Sequence, residues 1–315
     1  MPGPPAAVAQ VRLAVRRAIA AVPGQLVVAC SGGADSLALA AATAFEARGR
    51  GVGAVVVDHG LQPGSAQVAE RAAAQCRDLG LDPVEIHRVQ VGSAGGREAA
   101  ARTARYRVLE QVAARDRATV LLGHTRDDQA ESVLLGLVRG SGARSLSGMP
   151  PARLPFLRPL LGVAREVTRA ACEAERLVWW DDPHNADPAY LRVRVRRLLP
   201  RLEAEIGPGV VAGLVRSADL LREDADLLDQ LARGARSDLQ QPTAPALAAL
   251  PAALRTRVWR LLAVEAGAPA GSLFAVHVRA LDTLVTGWTG QGPVDLPGGV
   301  RAERVGDVVR FTTRW

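Results

Sequence analysis

The segment Ser31-Gly32-Gly33-Ala34-Asp35-Ser36, set directly after the apolar run Leu26-Val27-Val28-Ala29-Cys30, constrains the fold of this chain more than any other stretch. A short buried strand enters a glycine turn and leaves it as a helix rich in Ala and Leu. Two adjacent glycines allow a bend tight enough to aim successive backbone N–H groups into one concavity. The start of the following helix directs its positive end at the same place. Ser31 and Ser36 add hydroxyl donors, and Asp35 adds a carboxylate able to hold Mg2+. Together these are the parts of a polyphosphate seat; the plainer reading is an ordinary glycine-rich turn between strand and helix.

Two common phosphate motifs are excluded. A Walker A loop ends in Gly-Lys-Ser/Thr, and this chain contains no lysine at all. A dinucleotide fingerprint needs Gly-x-Gly-x-x-Gly, which the turn does not match. Ser-Gly-Gly-x-Asp-Ser instead resembles the PP-loop of the ATP pyrophosphatase superfamily. That resemblance implies cleavage of ATP between its α- and β-phosphates.

Around this turn the chain alternates strand-like and helix-like segments from about residue 8 to 180. Strands are expected at 26–30, 53–57, 84–89 and 119–122, with helices over 11–21, 35–48, 65–79, 97–114, 127–138 and 163–176. Such alternation predicts an α/β fold with a parallel sheet covered on both faces, whose ligands bind beyond the carboxyl ends of the strands. The polar clusters Ser31 to Ser36, Asp58-His59-Gly60 and Gly123-His124 to Asp128 fall at those ends. Residues 139–160 read as a long irregular connection. After about 205 the pattern changes: Leu214, Ala218, Leu221, Ala225 and Leu228 mark an amphipathic helix, 254–264 and 272–285 read as further helices, and Gly292 to Thr312 as a small hairpin. The expected organisation is a catalytic domain over 1–203 and a smaller, mainly helical domain over 204–315.

At 315 residues with 48% hydrophobic content, the chain can bury two cores. No apolar run is long enough for a membrane span, and the start of the chain lacks the pattern of a signal peptide. Cys30, Cys76 and Cys172 are odd in number and widely spaced, which fits a reducing cytoplasm and no metal motif. The formal net charge of +7 is carried by arginine, which binds phosphate through a planar fork and suits a polyanionic partner. A GC-rich genome accounts for Arg in place of Lys but not for the positive excess. Aromatic residues are too few for a single-strand stacking platform.

Several other groups stand out. Asp128 and Glu131, three apart, share one helical face beside the phosphate seat, where paired carboxylates can bind a cationic amine; the plainer reading is helix capping. Glu98, Arg102 and Tyr106, with Arg105 alongside, are spaced along one helix. They read either as an exposed ion pair or as an Arg aimed at phosphate. The run Tyr190-Leu191-Arg192-Val193-Arg194-Val195-Arg196-Arg197 is a basic segment at the domain junction. His59, His124 and His184 have no metal-ligand spacing.

The ordered series of motifs is similar to the tRNA(Ile)-lysidine synthetase family. It comprises Ser31–Ser36, Val57-Asp58-His59-Gly60-Leu61, Glu98-x-x-x-Arg102-x-x-Arg105-Tyr106, Gly123–Ser132, Arg139-Gly140-Ser141-Gly142 and Arg158-Pro159-Leu160-Leu161. Trp180-x-Asp182-Pro183-x-Asn185 and Tyr190-x-Arg192-x-Arg194-x-Arg196 complete it. Val193, His184 and Arg197 depart from the family pattern. The resemblance implies a PP-loop domain in which ATP adenylates the wobble cytidine of a CAU-anticodon tRNA(Ile) and free L-lysine then displaces AMP. It implies ATP-binding roles for Ser31, Gly32, Gly33, Ala34, Asp35, Ser36, Asp58, His59, Gly123 and His124. Asp35 would hold Mg2+, and Asp128 and Glu131 would hold lysine. Asp35, Arg102, Arg192 and Arg196 would act at the reaction centre, and the C-terminal domain would grip the tRNA. No protein partner beyond a homodimer is expected. The alternatives are another PP-loop tRNA-modifying enzyme, such as a cytidine thiolase, and a non-catalytic nucleotide-binding module.

Overall fold

Alternation within four-residue strands sets the architecture. In strand β1 (Leu26–Ala29) of the computed structural model, Leu26 and Val28 enter one core and Val27 a second core on the opposite face. Strands β2 (Val52–Asp58) and β4 (Thr119–Leu122) repeat the division: Ala54, Val56 and Leu121 face the first core, and Val55, Val120 and Leu122 the second. The structure describes residues 3–90, 92, 96–183 and 187–313.

With β3 (Val84–Arg88), β5 (Ala152–Arg153) and β6 (Phe156–Leu157), these form a sheet of order β3-β2-β1-β4-β6-β5. All neighbours run parallel except β5 against β6. The order places β1 centrally, so the loop after it lies between the ends of β2 and β4.

Helices α1 (Ala6–Ile19), α2 (Ala34–Glu46), α3 (Ser65–Asp78) and α7 (Arg165–Ala174) supply the first core. In α1 the buried residues Val8, Val11, Val15 and Ile19 recur at three and four residues. Helix α4 (Arg97–Asp116) covers the other face through Val108, Leu109, Val112 and Ala113. Helix α5 (Arg126–Val138) follows β4.

One local expectation is corrected. The connection over 139–160 is not irregular throughout, since it holds helix α6 (Ala143–Leu146) and strands β5 and β6. Buried Gln129 ties it down by donating to the Met149 carbonyl and accepting from the Met149 N–H, at 3.0 and 2.8 Å. The alternating Arg and Val run after Tyr190 is helix α8 (Leu191–Ile206), which places Arg192 and Arg196 one turn apart on the same face.

The chain forms two compact units, Met1–Asp219 and Leu220–Trp315, divided inside helix α9 (Val210–Asp238). The second contains α10 (Ala244–Ala249), α11 (Ala252–Glu265), α12 (Ala275–Thr286) and an antiparallel sheet of β7 (Val294–Asp295), β8 (Val300–Val305) and β9 (Val308–Thr313). Its core centres on Trp259, with Leu247, Leu281, Leu284, Val300 and Val309. The buried Trp259 indole N–H donates to Asp282 at 3.0 Å, as an enclosed indole requires a partner. Among the described residues, no helix is long and apolar enough to cross a membrane.

Candidate active site

The turn after β1 is shaped by one glycine and one serine. Gly32 has φ +79°, and a Cβ there would stand 3.2 Å from the Cβ of Ala72 on α3. Gly33 has φ −79° and precedes α2 in ordinary extended backbone, so the left-handed bend rests on Gly32 alone. The Ser36 hydroxyl is turned inward. It donates to the Gly33 carbonyl at 2.9 Å and accepts from the Ser31 N–H at 3.1 Å. It therefore holds the loop in shape, and Ser31 remains the exposed hydroxyl. The Gly33 carbonyl accepts the N–H groups of Ser36 and Leu37. The amides of Ala34 and Asp35 open the helix, where no preceding turn can satisfy them. Gly123 closes the seat from β4, since a Cβ there would lie 3.1 Å from the Asp35 backbone.

Asp35 sits at the centre of the site. It accepts a hydrogen bond from the buried Thr168 hydroxyl of α7, and its Oδ2 lies 3.7 Å from Nε of Arg165. Burial pushes its carboxyl up to about 6, with Asp128 and Asp127 adding to the rise and Thr168 and Arg165 opposing it.

Arg165 joins this acid to the pair on α5. Its Nη2 donates to Asp128 at 2.9 Å and to Glu131 at 3.3 Å. Glu131 is fully buried, and Arg192 and Arg196 reach it from α8 at 3.0 and 2.7 Å. Asp128 is shared between two tasks. Its Oδ2 accepts the Thr125 N–H at 2.9 Å to cap α5, and its Oδ1 faces Arg165. Burial favours its neutral form, but Arg165, the Thr125 N–H and Arg192 outweigh that and hold the carboxyl below its ordinary value. Asp127 caps α7 instead, accepting the Arg165 N–H at 2.8 Å.

The fold therefore gathers Asp35, Asp128, Glu131, Arg192 and Arg196 into one cluster. Arg165 and Thr168 belong to it as well and are absent from the sequence reading. One signal marks them: an arginine in the first turn of a helix opposes the helix dipole unless carboxylates surround it.

Asp58 is buried at the end of β2, where it accepts the Gly60 N–H at 2.9 Å and stands 3.8 Å from Arg88. His59 and His124 follow β2 and β4 and flank the loop in the strand order. Arg102 and Arg105 lie on α4 against Tyr106, away from any carboxylate partner among the described residues. His184, Asn185 and the side chain of Glu98 lie outside the described residues. The cysteines are free and buried, and no group of three metal-ligating side chains exists among the described residues.

The loop after β1 thus stands beside an acid–arginine cluster. A PP-loop domain model matches residues 9–202, and a model described as the TilS substrate binding domain matches 244–312. The tRNA(Ile)-lysidine synthase of Thermobifida fusca is 56% identical over 314 residues, covering 96% of this chain and 97% of that protein. The enzyme of the same name from Streptomyces coelicolor is 52% identical over 343 residues, again covering 96% and 97%. Among solved structures, the U34-tRNA thiolase NcsA from Methanococcus maripaludis, with its [4Fe-4S] cluster, superposes with a TM-score of 0.58 at 18% identity. It covers 69% of this chain and 80% of that one, a likeness of fold. Two relatives that match nearly from end to end at more than half identity, with the PP-loop domain model over residues 9–202, show that this chain belongs to the tRNA(Ile)-lysidine synthase family.

Proposed function

We propose that the chain joins free L-lysine to the wobble cytidine of a tRNA(Ile) bearing a CAU anticodon, using ATP as its substrate. The observation that carries this reading is Arg165, which stands 3.7 Å from the phosphate-loop acid Asp35 and 2.9 Å from Asp128 of the α5 pair. A nucleotide seat and an amine seat thus share one wall. In the reaction, the cytidine 2-oxygen attacks the α-phosphorus and diphosphate leaves. The lysine ε-ammonium gives up a proton to become a free amine, its nitrogen attacks C2, and the C2–O bond breaks with the oxygen departing on AMP.

The amides of Ala34 and Asp35 take the departing diphosphate, with Ser31 at the rim. Asp35 fits a magnesium ligand of the kind that supplies one carboxylate while phosphate oxygens and water complete the shell. It is a single carboxylate at the loop, ionised above pH 6, with one oxygen held by Thr168. Magnesium bound with the nucleotide neutralises charge on the phosphates.

Asp128 and Glu131 receive the lysine amine. Both oxygens of Glu131 already meet guanidinium groups, so the arriving ammonium takes a place now held by arginine. Arg192 and Arg196 keep the buried carboxylate compensated during that exchange, and Arg102 faces the adenylated intermediate. The unit from Leu220 onward holds the tRNA. The test supplies ATP, labelled lysine and an unmodified CAU-anticodon tRNA. Lysine enters the tRNA with one AMP per lysine. Nucleotide cleavage without incorporation would overturn the reading.

A further inference from the structure

Two populations of arginine face the carboxyl edge of the sheet. Arg165, Arg192 and Arg196 are spent on carboxylates. Arg102, Arg105 and Arg158 have no carboxylate partner among the described residues, and Arg105 and Arg158, unlike the exposed Arg102, each bury a guanidinium nitrogen. Arg158 follows β6 and is only 8% exposed; its Nη1 donates to the Pro150 carbonyl at 3.0 Å. Phe156, two residues earlier, receives Tyr106 edge-on with ring centroids 5.1 Å apart. Tyr106 in turn carries Arg102 and Arg105 against its ring, at 4.9 and 5.5 Å.

Four of the six buried side-chain atoms left without a partner among the described residues of this unit belong here, the other two being Nε of Arg12 and of Arg126. The Nε atoms of Arg105 and Arg158 and the Nδ1 atoms of His59 and His124 are all buried without a partner. Native proteins rarely leave buried N–H groups idle, and each such group calls for a cause. Burial keeps His124 neutral, and Arg105, Arg158 and Arg102 press the same way against Asp128, down to about 3. Burial opposes ionisation of the Tyr106 phenol, yet the three guanidiniums carry it below its ordinary value. The region therefore holds three fixed positive charges without a carboxylate partner among the described residues, beside two imidazoles that burial keeps neutral although Asp58 and Asp182 act on His59 and Asp128 acts on His124.

We propose that Arg102, Arg105 and Arg158, with His59 and His124 as neutral donors, form a subsite for a phosphodiester, separate from the loop that takes the diphosphate. Guanidinium forks match the paired non-bridging oxygens of a phosphate, and clustering three of them selects phosphate over a lone carboxylate. Resting on the function proposed above, the phosphate has two sources: the α-phosphate of the nucleotide, or the RNA backbone beside the target base.

Binding measurements without turnover decide between them. ATP affinity is measured by equilibrium dialysis without tRNA, and tRNA affinity by fluorescence anisotropy without ATP, for Arg105→Gln, Arg158→Gln and Arg158→Lys. Each Gln variant lowers one of the two affinities at least tenfold and leaves the other, and the lysine KM, within twofold. The affinity that falls names the source. Arg158→Lys, which keeps the charge and loses the fork, recovers part of the loss. Inorganic phosphate raises the melting temperature of the unsubstituted protein by more than that of the Arg105→Gln/Arg158→Gln double variant, which keeps only the loop. Arg102→Gln, at an exposed position, carries the same test should the buried variants fail to fold. Both affinities staying within twofold, or a change in lysine KM alone, would overturn the subsite. A chain that binds ATP and tRNA as described but incorporates no lysine would overturn the proposed function and leave the subsite standing.

Discussion

Arginine is used differently in the two units. Residues 1–219 contain 28 arginines against 22 acidic residues, and residues 220–315 contain 11 against 10. In the second unit Arg236, Arg255, Arg257, Arg301 and Arg304 each pair with an acid in the ordinary manner of a protein surface or rim. In the first, three arginines converge on one fully buried glutamate while three others meet no acid among the described residues. Balanced pairs stabilise a fold modestly. A shared anion and a set of uncompensated cations are costly arrangements, and they occur where the ligands are expected. The second unit is near neutral, and the positive excess lies with the first.

The comparison is sharpened most by Glu131→Gln. Removing this anion leaves Arg192 without its carboxylate and Arg165 and Arg196 leaning on Asp128, so stability falls by about 3 kcal/mol, read as a lowered melting temperature, with lysine KM raised. A variant that melts normally and alters only tRNA affinity would break the contrast. Asp282→Asn is its counterpart in the second unit. That acid accepts from Arg255 and from the buried Trp259 indole, and its loss costs about 2–3 kcal/mol without any change in ATP binding.

Asp35→Asn has the opposite sign. The folded protein retains the Asp35 proton up to about pH 6, whereas an unfolded chain releases it near its ordinary value of 3.8. Stability from this group is therefore present below pH 4 and lost as pH rises through 6. Allowing for a side chain 25% exposed, the ionised acid costs about 2 kcal/mol at pH 8. Asp35→Asn melts higher than the unsubstituted protein at pH 8, equals it at pH 4, and forms no AMP or diphosphate. Equal melting at both pH values would show that the acid is not strained by burial. Arg301→Gln, which breaks the exposed pair with Asp295, shifts stability by no more than about 0.5 kcal/mol, and a larger change would blur the distinction between the units.

Much of this arrangement is legible in the sequence because it is periodic. Alternation in β1, β2 and β4 separates the two cores, and the Gly-rich turn after β1 locates the seat. Residues Asp128 and Glu131, three apart, were expected on one helical face, and they share one. What escapes has physical causes. Strands β5 and β6 are two residues long, too short to show any period. In α8 the alternation of Arg and Val hides a helical repeat, so the one-turn spacing of Arg192 and Arg196 does not stand out. Ser36 reads as a phosphate donor because its hydroxyl is at the loop, but only the folded turn shows it bound to Gly33. Arg165 and Thr168 come from a helix 130 residues distant along the chain from Asp35 (Thr168 and Asp35 are separated by 133), and nothing local announces that contact.

Arg165 has one consequence for any attempt to apportion energy within the cluster. Because a single guanidinium answers to the acid of the loop and to both acids of α5, neutralising one of them frees it to tighten on the rest. A thermodynamic cycle built from Asp35→Asn, Glu131→Gln and the double variant will not close to zero; the seven side chains share their stabilisation as one unit, and no ledger assigns it residue by residue.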